Sequence, residues 1–172
     1  MQARRLTAQH AVKLWSVFYD AYGSEQMGAS FGWKHAPETV PAGKKVYAFG
    51  LDNDCVGWGG IYLNTNDATD DEAFLTVGVF PQHQRQGRRA VILEWLANKA
   101  FSLGADQASI IVYRANEAQY NRTMREAHVE DAKWVYAGDV WYPKPGYGYF
   151  VYSPAPEQPP VPQDVPDGSS AV

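Results

Sequence analysis

Three arginines and one glycine surround a point where the sequence changes from a strand pattern to a helix pattern. Residues 79–90 read VFPQHQRQGRRA, which places Arg85, Arg88 and Arg89 around Gly87. The first turn of a helix exposes unpaired N–H groups and the positive end of the helix dipole, so it attracts anions. Cations at this position oppose the dipole by about 0.3–1 kcal/mol each unless an anion is bound. These residues predict an anion site, with three solvated arginines at a surface corner as the alternative.

The hydrophobic periodicity predicts the elements that position this segment. Strand patterns span residues 45–50, 56–63, 73–80 and 108–113, with two more near 134–141 and 148–152. Helix patterns run from a cap at Thr7 to Gly23, and over residues 88–103 and 116–128. Residues 24–44 are punctuated by Gly, Pro and Ser, which predicts a loop with room for a short helix. The nearly continuous apolar run of residues 73–80 predicts a strand that is buried on both faces.

The predicted order of elements is α–β–β–β–α–β–α–β–β, which is typical of a mixed α/β sheet covered by helices. The chain of 172 residues is 45% hydrophobic and 14% aromatic, enough to build the core of a single domain. Residues 154–172 carry six of the 11 prolines and three acidic residues, but no basic one. Proline at this density favours an extended tail. We therefore expect a domain over residues 1–153, followed by a proline-rich, acidic tail over residues 154–172.

Charge and composition argue against several classes of function. The chain has 15 basic and 19 acidic residues, and the net charge of −4 argues against binding nucleic acid or an anionic membrane mainly by charge. A single cysteine, Cys55, excludes an internal disulfide framework, and the four histidines lack the spacing of a metal site. The polar start is unlike a signal peptide, and no apolar run approaches the ~20 residues that span a bilayer. A cytoplasmic protein without a metal is expected.

The segment around Gly87 resembles the signature of the GNAT superfamily of acyl-CoA-dependent N-acyltransferases. In that family a strand ends V-x-P, and two residues later R/Q-x-x-G-x-G/A begins a helix. Val79 and Pro81 match the first part, and Gln84 and Gly87 match the second, whereas Arg89 stands where the family usually has Gly or Ala. The resemblance is specific over residues 73–128 and extends by topology to residues 6–152. It implies a mostly antiparallel central sheet with one splayed parallel pair of strands, flanked by helices.

The resemblance also implies acetyl-CoA as the acyl donor and assigns residues that bind it. In the family, the strand before the signature holds the pantetheine arm through its backbone, and an N–H there can stabilise the oxyanion of the thioester. Asn116 follows the next strand, where these enzymes commonly have an asparagine near the pantetheine. The implied cofactor-binding residues are Val77, Val79, Gln84, Arg85, Gln86, Gly87, Arg88, Arg89, Ala90 and Asn116.

Two groups are candidates for moving protons. Thr123 stands where the family usually has a tyrosine that protonates the departing thiolate. Tyr120 lies one turn earlier and about 60° around the helix, and we predict it as the substitute, with a tyrosine packed under the sheet as the alternative. Glu72, or Asp71 beside it, is predicted to act as a general base through water, although an acid at the mouth of a hairpin is commonly only solvated.

The expected reaction transfers an acetyl group from acetyl-CoA to a primary amine, either on a small molecule or on a protein side chain. In the family, the acceptor cleft forms between the first helix, the loop after it and the last hairpin. Here these segments carry seven aromatic residues, Tyr19, Tyr22, Phe31, Trp33, Trp141, Tyr142 and Tyr147. The alternative is a non-catalytic GNAT-fold interaction or assembly protein, such as a component of a viral particle or other large complex, with residues 154–172 held by a protein partner.

Overall fold

A computed structural model describes residues 1–63, 71–128, 132–140 and 146–153 of the chain. Within these residues the strands are β1 (Gln2–Arg5), β2 (Lys44–Leu51), β3 (Asp54–Leu63), β4 (Glu72–Val79), β5 (Gln107–Tyr113), β6 (Trp134–Val140) and β7 (Tyr147–Tyr152). The helices are α1 (Ala8–Tyr22), α2 (Ser24–Phe31), α3 (Arg88–Ser102) and α4 (Glu117–Ala127), and a short 3₁₀ turn (Pro81–His83) precedes α3.

The strands form one seven-stranded sheet in the order β1-β2-β3-β4-β5-β7-β6. All neighbours are antiparallel except β4 and β5, which are parallel. This parallel pair is joined only from Glu72↔Gln107 to Leu75↔Ile110, so the two strands diverge over their second halves. The predicted mixed sheet with one splayed parallel pair is confirmed.

Local sequence accounts for several element boundaries. The Thr7 side chain accepts a hydrogen bond from the His10 N–H at 3.3 Å, which caps α1, and Gly23 ends that helix at a φ of 81°. Asp52 and Asn53 join β2 to β3 with φ values of 50° and 68°, as a two-residue hairpin turn requires. Thr7 and Gly23 bound α1 as predicted, whereas β3 begins at Asp54, two residues before the predicted start at residue 56.

Two hydrophobic layers lie on opposite faces of the sheet. Helix α3 packs on one face through Ile92, Leu93 and Leu96, each no more than 1% exposed. On the other face, α1 and α2 enclose an aromatic cluster with the sheet, formed by Trp15, Phe18, Phe31, Trp33, Trp58 and Phe80. The two layers cover opposite faces of the middle of the sheet. The C-terminal ends of β4 and β5 therefore lie between them.

Some expectations about the elements were wrong. Strand β1 was not predicted, because its residues QARR are polar and largely exposed and the strand forms only by pairing with the edge of β2. Strand β4 is not buried on both faces: Ala73 and Leu75 are buried, but Phe74 and Thr76 are half-buried because their face borders a cavity. The connections that follow the predicted strands over residues 56–63 and 134–141 lie largely outside the described residues, and the proline-rich tail lies wholly outside them.

Candidate active site

A cavity of about 850 Å³ occupies the opening between β4 and β5. Its wall includes residues 74–79 of β4 and residues 110–113 of β5, which run from the end of the paired segment into the halves where the two strands no longer pair. One end reaches the start of α3 and the exposed side of α4, and the other reaches the aromatic cluster under α1 and α2. The cavity therefore has walls on both faces of the sheet.

The β4 backbone lines this opening and is held firmly on its other side by β3. A Cβ at Gly57 would lie 2.2 Å from the carbonyl oxygen of Gly78, so only glycine allows the two strands to approach this closely. At the end of β4, the carbonyl of Val79 accepts hydrogen bonds from the Tyr22 hydroxyl and from Nε2 of Gln84, the latter at 3.2 Å. Val77 and Val79 lie in the wall of the cavity.

The segment around Gly87 presents unpaired N–H groups to one end of the cavity. Arg85 and Gly87 have φ values of 60° and 72°, which turns the backbone tightly before α3 begins at Arg88. The N–H groups of residues 85–89 make no hydrogen bond within the described chain, and nothing lies within 4 Å of a Cβ placed on Gly87. Successive free N–H groups in such a turn at a helix start are a common anion-binding arrangement.

Positive charge surrounds this turn. Arg85, Arg88 and Arg89 border the cavity together with Arg122 from α4, and the Nε atom of Arg88 is buried without a partner in the described chain. Burial lowers the pKa of Arg89 to about 10, which leaves its guanidinium charged at neutral pH. When the amide of Gln119 presents its oxygen, that oxygen accepts from Nε of Arg89 at 3.1 Å. Arg89 thus connects the start of α3 to α4.

The other predicted cofactor residues fall in different places. Gln84 and Ala90 border the cavity, whereas Gln86 is exposed, does not border it, and donates to the Gln82 carbonyl at 3.4 Å. Asn116 borders the cavity and caps α4 by accepting from the Gln119 N–H at 3.3 Å, while its side-chain amide donates to the Ser30 hydroxyl at 3.0 Å. Asn116 therefore ties the start of α4 to α2 across the opening.

The two residues predicted to move protons do not border the cavity. Tyr120 lies under the sheet, where its ring would be 2.7 Å from a Cβ placed on Gly148, and the Arg114 guanidinium lies 5.3 Å from its ring centroid. The Glu72 carboxylate accepts hydrogen bonds from Gln107 at 3.0 Å, from Ser109 at 2.7 Å and from the Tyr149 hydroxyl. These three donors hold Glu72 at the base of the opening, where β4 and β5 still pair.

Of the aromatic residues expected around an acceptor, Tyr22, Phe31, Trp33 and Tyr147 border the cavity. Tyr19 does not, and its hydroxyl donates to the Lys34 carbonyl at 2.6 Å. Trp141 and Tyr142 lie outside the described residues. The aromatic wall also includes Phe18, Trp58 and Phe74, which sequence reasoning did not assign to an acceptor.

Lys44 and Thr76 also line this aromatic half of the cavity, and sequence reasoning missed both. The Nζ atom of Lys44 lies 5.5 Å from the ring centroid of Trp15 and 5.8 Å from that of Trp58, and burial lowers the pKa of this lysine to about 8. The hydroxyl of Thr76 is buried without a partner in the described chain. The strand pattern could have identified Lys44, because it lies two residues before Val46 in β2. Its side chain therefore points to the same face of the sheet as the buried Val46 side chain.

Other kinds of site find no support in the part of the chain that the structure describes. No group of three or more His, Cys, Asp and Glu side chains is placed to hold a metal ion there. None of the helices described combines the length and apolar character needed to cross a membrane.

Comparisons with known proteins agree with this geometry. The model of the acetyltransferase (GNAT) family matches residues 9–122. A spermidine N-acetyltransferase from Vibrio cholerae, solved with CoA and spermine, is 9% identical, with a TM-score of 0.64 over 87% of this chain and 93% of that one. The GNAT domain of S. lividans PAT is 17% identical, with a TM-score of 0.62 over 87% of this chain and 89% of that one. The protein smu.2055 from Streptococcus mutans UA159 is 9% identical, with a TM-score of 0.61 over 89% of this chain and 99% of that one. No curated protein sequence matched.

A splayed parallel strand pair, a free N–H turn at the start of the following helix, and the family match together define an acyltransferase. The chain belongs to the acetyltransferase (GNAT) family.

Proposed function

We propose that the protein transfers the acetyl group of acetyl-CoA to the primary amine of an acceptor bound in the aromatic half of the cavity. The observation that carries this proposal is the continuity of one cavity from the N–H turn around Gly87, through the opening between β4 and β5, to the aromatic residues under α1 and α2. An acyl donor anchored by phosphate at one end would present its thioester to an amine at the other.

The donor is held by two kinds of contact. The pyrophosphate of CoA accepts hydrogen bonds from the free N–H groups of residues 85–89, with Arg85 and Arg88 adding charge-assisted bonds. The pantetheine arm lies along β4, whose edge has no partner strand beyond Leu75. Backbone groups there are free to pair with the two amides of pantetheine, much as an added strand would.

Beyond binding the donor, acetyl transfer needs a group that stabilises the oxyanion and a proton donor for the departing thiolate. A deprotonated amine attacks the carbonyl carbon, and an N–H of the open β4 edge stabilises the oxyanion. The C–S bond then breaks, the amide nitrogen gives its extra proton to water, and CoA leaves as a thiolate that takes up a proton. Among the tyrosines that border the cavity, the Tyr22 hydroxyl already donates to the Val79 carbonyl. The Tyr113 hydroxyl contacts the Phe31 carbonyl at 3.4 Å and its ring packs against Tyr147, and burial raises its pKa to about 12, so the hydroxyl is protonated at neutral pH. We assign the proton donor to Tyr113, and Tyr120 and Glu72 stay predictions to be tested beside it.

The acceptor is an amine. The fold is shared with the spermidine N-acetyltransferase solved with spermine, which supports an amine-bearing acceptor in general terms. A cytoplasmic location, a tail over residues 154–172 outside the domain, and a protein partner for that tail remain predictions from the sequence.

Isothermal titration with acetyl-CoA and with CoA tests the donor site, and Gly87→Glu is the decisive variant. It places a carboxylate where the pyrophosphate should bind, so it should abolish binding. Gly104→Glu is the matched control, because Gly104 also has a positive φ, of 97°, and open space around its Cβ, but lies at the far end of α3. If both variants bind CoA as the wild type does, the donor site is misplaced.

Release of the CoA thiol in the presence of primary amines tests the transfer itself. Binding of CoA without thiol release from any amine would favour the non-catalytic alternative over the enzyme.

A further inference from the structure

Lys44 occupies an unusual position for a lysine. Its side chain leaves β2 on the face it shares with Val46, which is 2% exposed in the aromatic cluster. The stem then crosses over β3 at Gly60, where a Cβ would lie 2.5 Å from Cε of Lys44 and 2.7 Å from the hydroxyl oxygen of Thr76. Only a glycine at position 60 lets the ammonium reach the cavity wall beside Thr76.

The ammonium has no anionic partner in the described chain. None of the ion pairs there involves Lys44. Glu126 is the one described carboxylate that borders the cavity, and it pairs with Arg122 at 2.8 Å at the arginine end. The ring contacts with Trp15 and Trp58 do not replace the lost hydration, since burial still lowers the pKa of Lys44.

Thr76 is the second, independent observation. Its hydroxyl is buried and makes no hydrogen bond within the described chain, although buried hydroxyls are normally paired. The hydroxyl and the ammonium are both donors, and both approach the same point above Gly60. A group with two acceptor oxygens and a negative charge satisfies both at once, as a carboxylate does.

We propose that Lys44 and Thr76 bind a carboxylate of the acceptor, so that the acceptor is a primary amine that also carries a carboxylate on an apolar body. This inference rests on the proposed function and specifies its acceptor. The apolar body is matched by Phe31, Trp33 and Phe74, which border the same half of the cavity. A polyamine fits this half poorly, because it would bring further positive charge to Lys44 with no described carboxylate to receive it.

A binding experiment without acetyl-CoA tests the inference separately from catalysis. The probes are 3-phenylpropanoate and 3-phenylpropanamide, which have the same apolar body but differ in charge. Trp15, Trp33 and Trp58 lie in this cluster, so binding is followed by the change in tryptophan fluorescence. The wild type should bind the carboxylate at least about tenfold more tightly than the amide, as expected for charge-assisted hydrogen bonds.

Variants decide whether Lys44 is responsible. Lys44→Met should remove the preference for the carboxylate, and Thr76→Val should reduce it. Lys45→Met is the matched control, since it removes the same charge from the next position of β2, whose side chain points to the opposite face. Thermal melting checks that each variant is folded, and Lys44→Gln replaces Lys44→Met if the latter is not.

Three results would overturn the inference: no saturable binding of the carboxylate at millimolar concentrations, equal binding of the amide, or an unchanged preference in the folded Lys44 variant. Failure of the proposed function is recognised separately, because it appears as absent acetyl-CoA binding or absent thiol release and does not alter this titration.

Discussion

Replacing Lys44 by methionine should stabilise the protein at neutral pH and lose that advantage in alkali. The side chain keeps its length and apolar character but no longer carries a charge that folding removes from water. Burial lowers the pKa of Lys44 from its ordinary value of 10.5 to about 8. At about 1.4 kcal/mol per pKa unit, this difference corresponds to a cost of up to about 3 kcal/mol in the folded state.

The sign of the pH dependence follows from which state binds the proton. Between pH 8 and 10.5 the unfolded chain holds the Lys44 proton and the folded protein has released it. The free energy of unfolding of the wild type therefore rises with pH across this window, and the cost is fully present below pH 8. The advantage of Lys44→Met should be largest at pH 7 and should shrink as the pH approaches 10.5.

Urea denaturation at pH 7 and pH 10 measures the difference in stability between the wild type and Lys44→Met. Lys45→Met is the control, because it removes one positive charge from the opposite face of β2. The comparison is made on the denaturation midpoint at an unchanged slope, so that a change in stability is not confused with a change in the unfolded state. A Lys44→Met variant that is less stable than the wild type at pH 7, or whose difference is the same at both pH values, would refute the reasoning.

Further substitutions address the site and the packing. Tyr113→Phe should lower kcat for thiol release with little effect on CoA binding, whereas Tyr120→Phe should leave kcat unchanged; the opposite pattern would support Tyr120 as the proton donor instead. Gly78→Ala should cost about 1–3 kcal/mol by overpacking, because its Cβ would lie 2.4 Å from the Trp58 indole nitrogen. Gly28→Ala should instead stabilise the protein by about 0.5–1 kcal/mol, because Gly28 lies inside α2 and the nearest atom to its added Cβ would be 4.0 Å away. Melting temperatures equal to that of the wild type would contradict both of these glycine predictions. Deleting residues 154–172 should leave melting and calorimetric CoA binding unchanged, and an insoluble product would show that the tail belongs to the domain.

Local signals made much of the fold predictable. The cap at Thr7 and the switch from strand to helix around Gly87 depend on residues close in sequence, and both are found where expected. The Asp52-Asn53 turn is also local, although it is shorter than the interval between the two predicted strands. Strand β1 shows the limit of such signals, because four polar residues become a strand only when the edge of β2 is available to them.

The aromatic half of the cavity depends on contacts between residues that are far apart in the sequence. Lys44 reaches the cavity only because β2 and β3 place it beside Gly60, and β4 then brings Thr76 to the same point. Glu72 was recognised as an acid at a strand start, but its three hydrogen-bond donors come from β5 and β7, which are remote in sequence. Pairings of this kind are set by the register of the whole sheet.

The opening between β4 and β5 has a consequence for the kinetics of the reaction. Its walls lie on both faces of the sheet, so in the proposed reaction the donor would enter from the side of α3 and α4, and the acceptor from the side of α1 and α2. With separate entries of this kind, each substrate could bind, and each product could leave, while its counterpart is still bound. The order of binding is then decided by concentrations and affinities, and initial-rate plots at several fixed acceptor concentrations should intersect instead of running parallel.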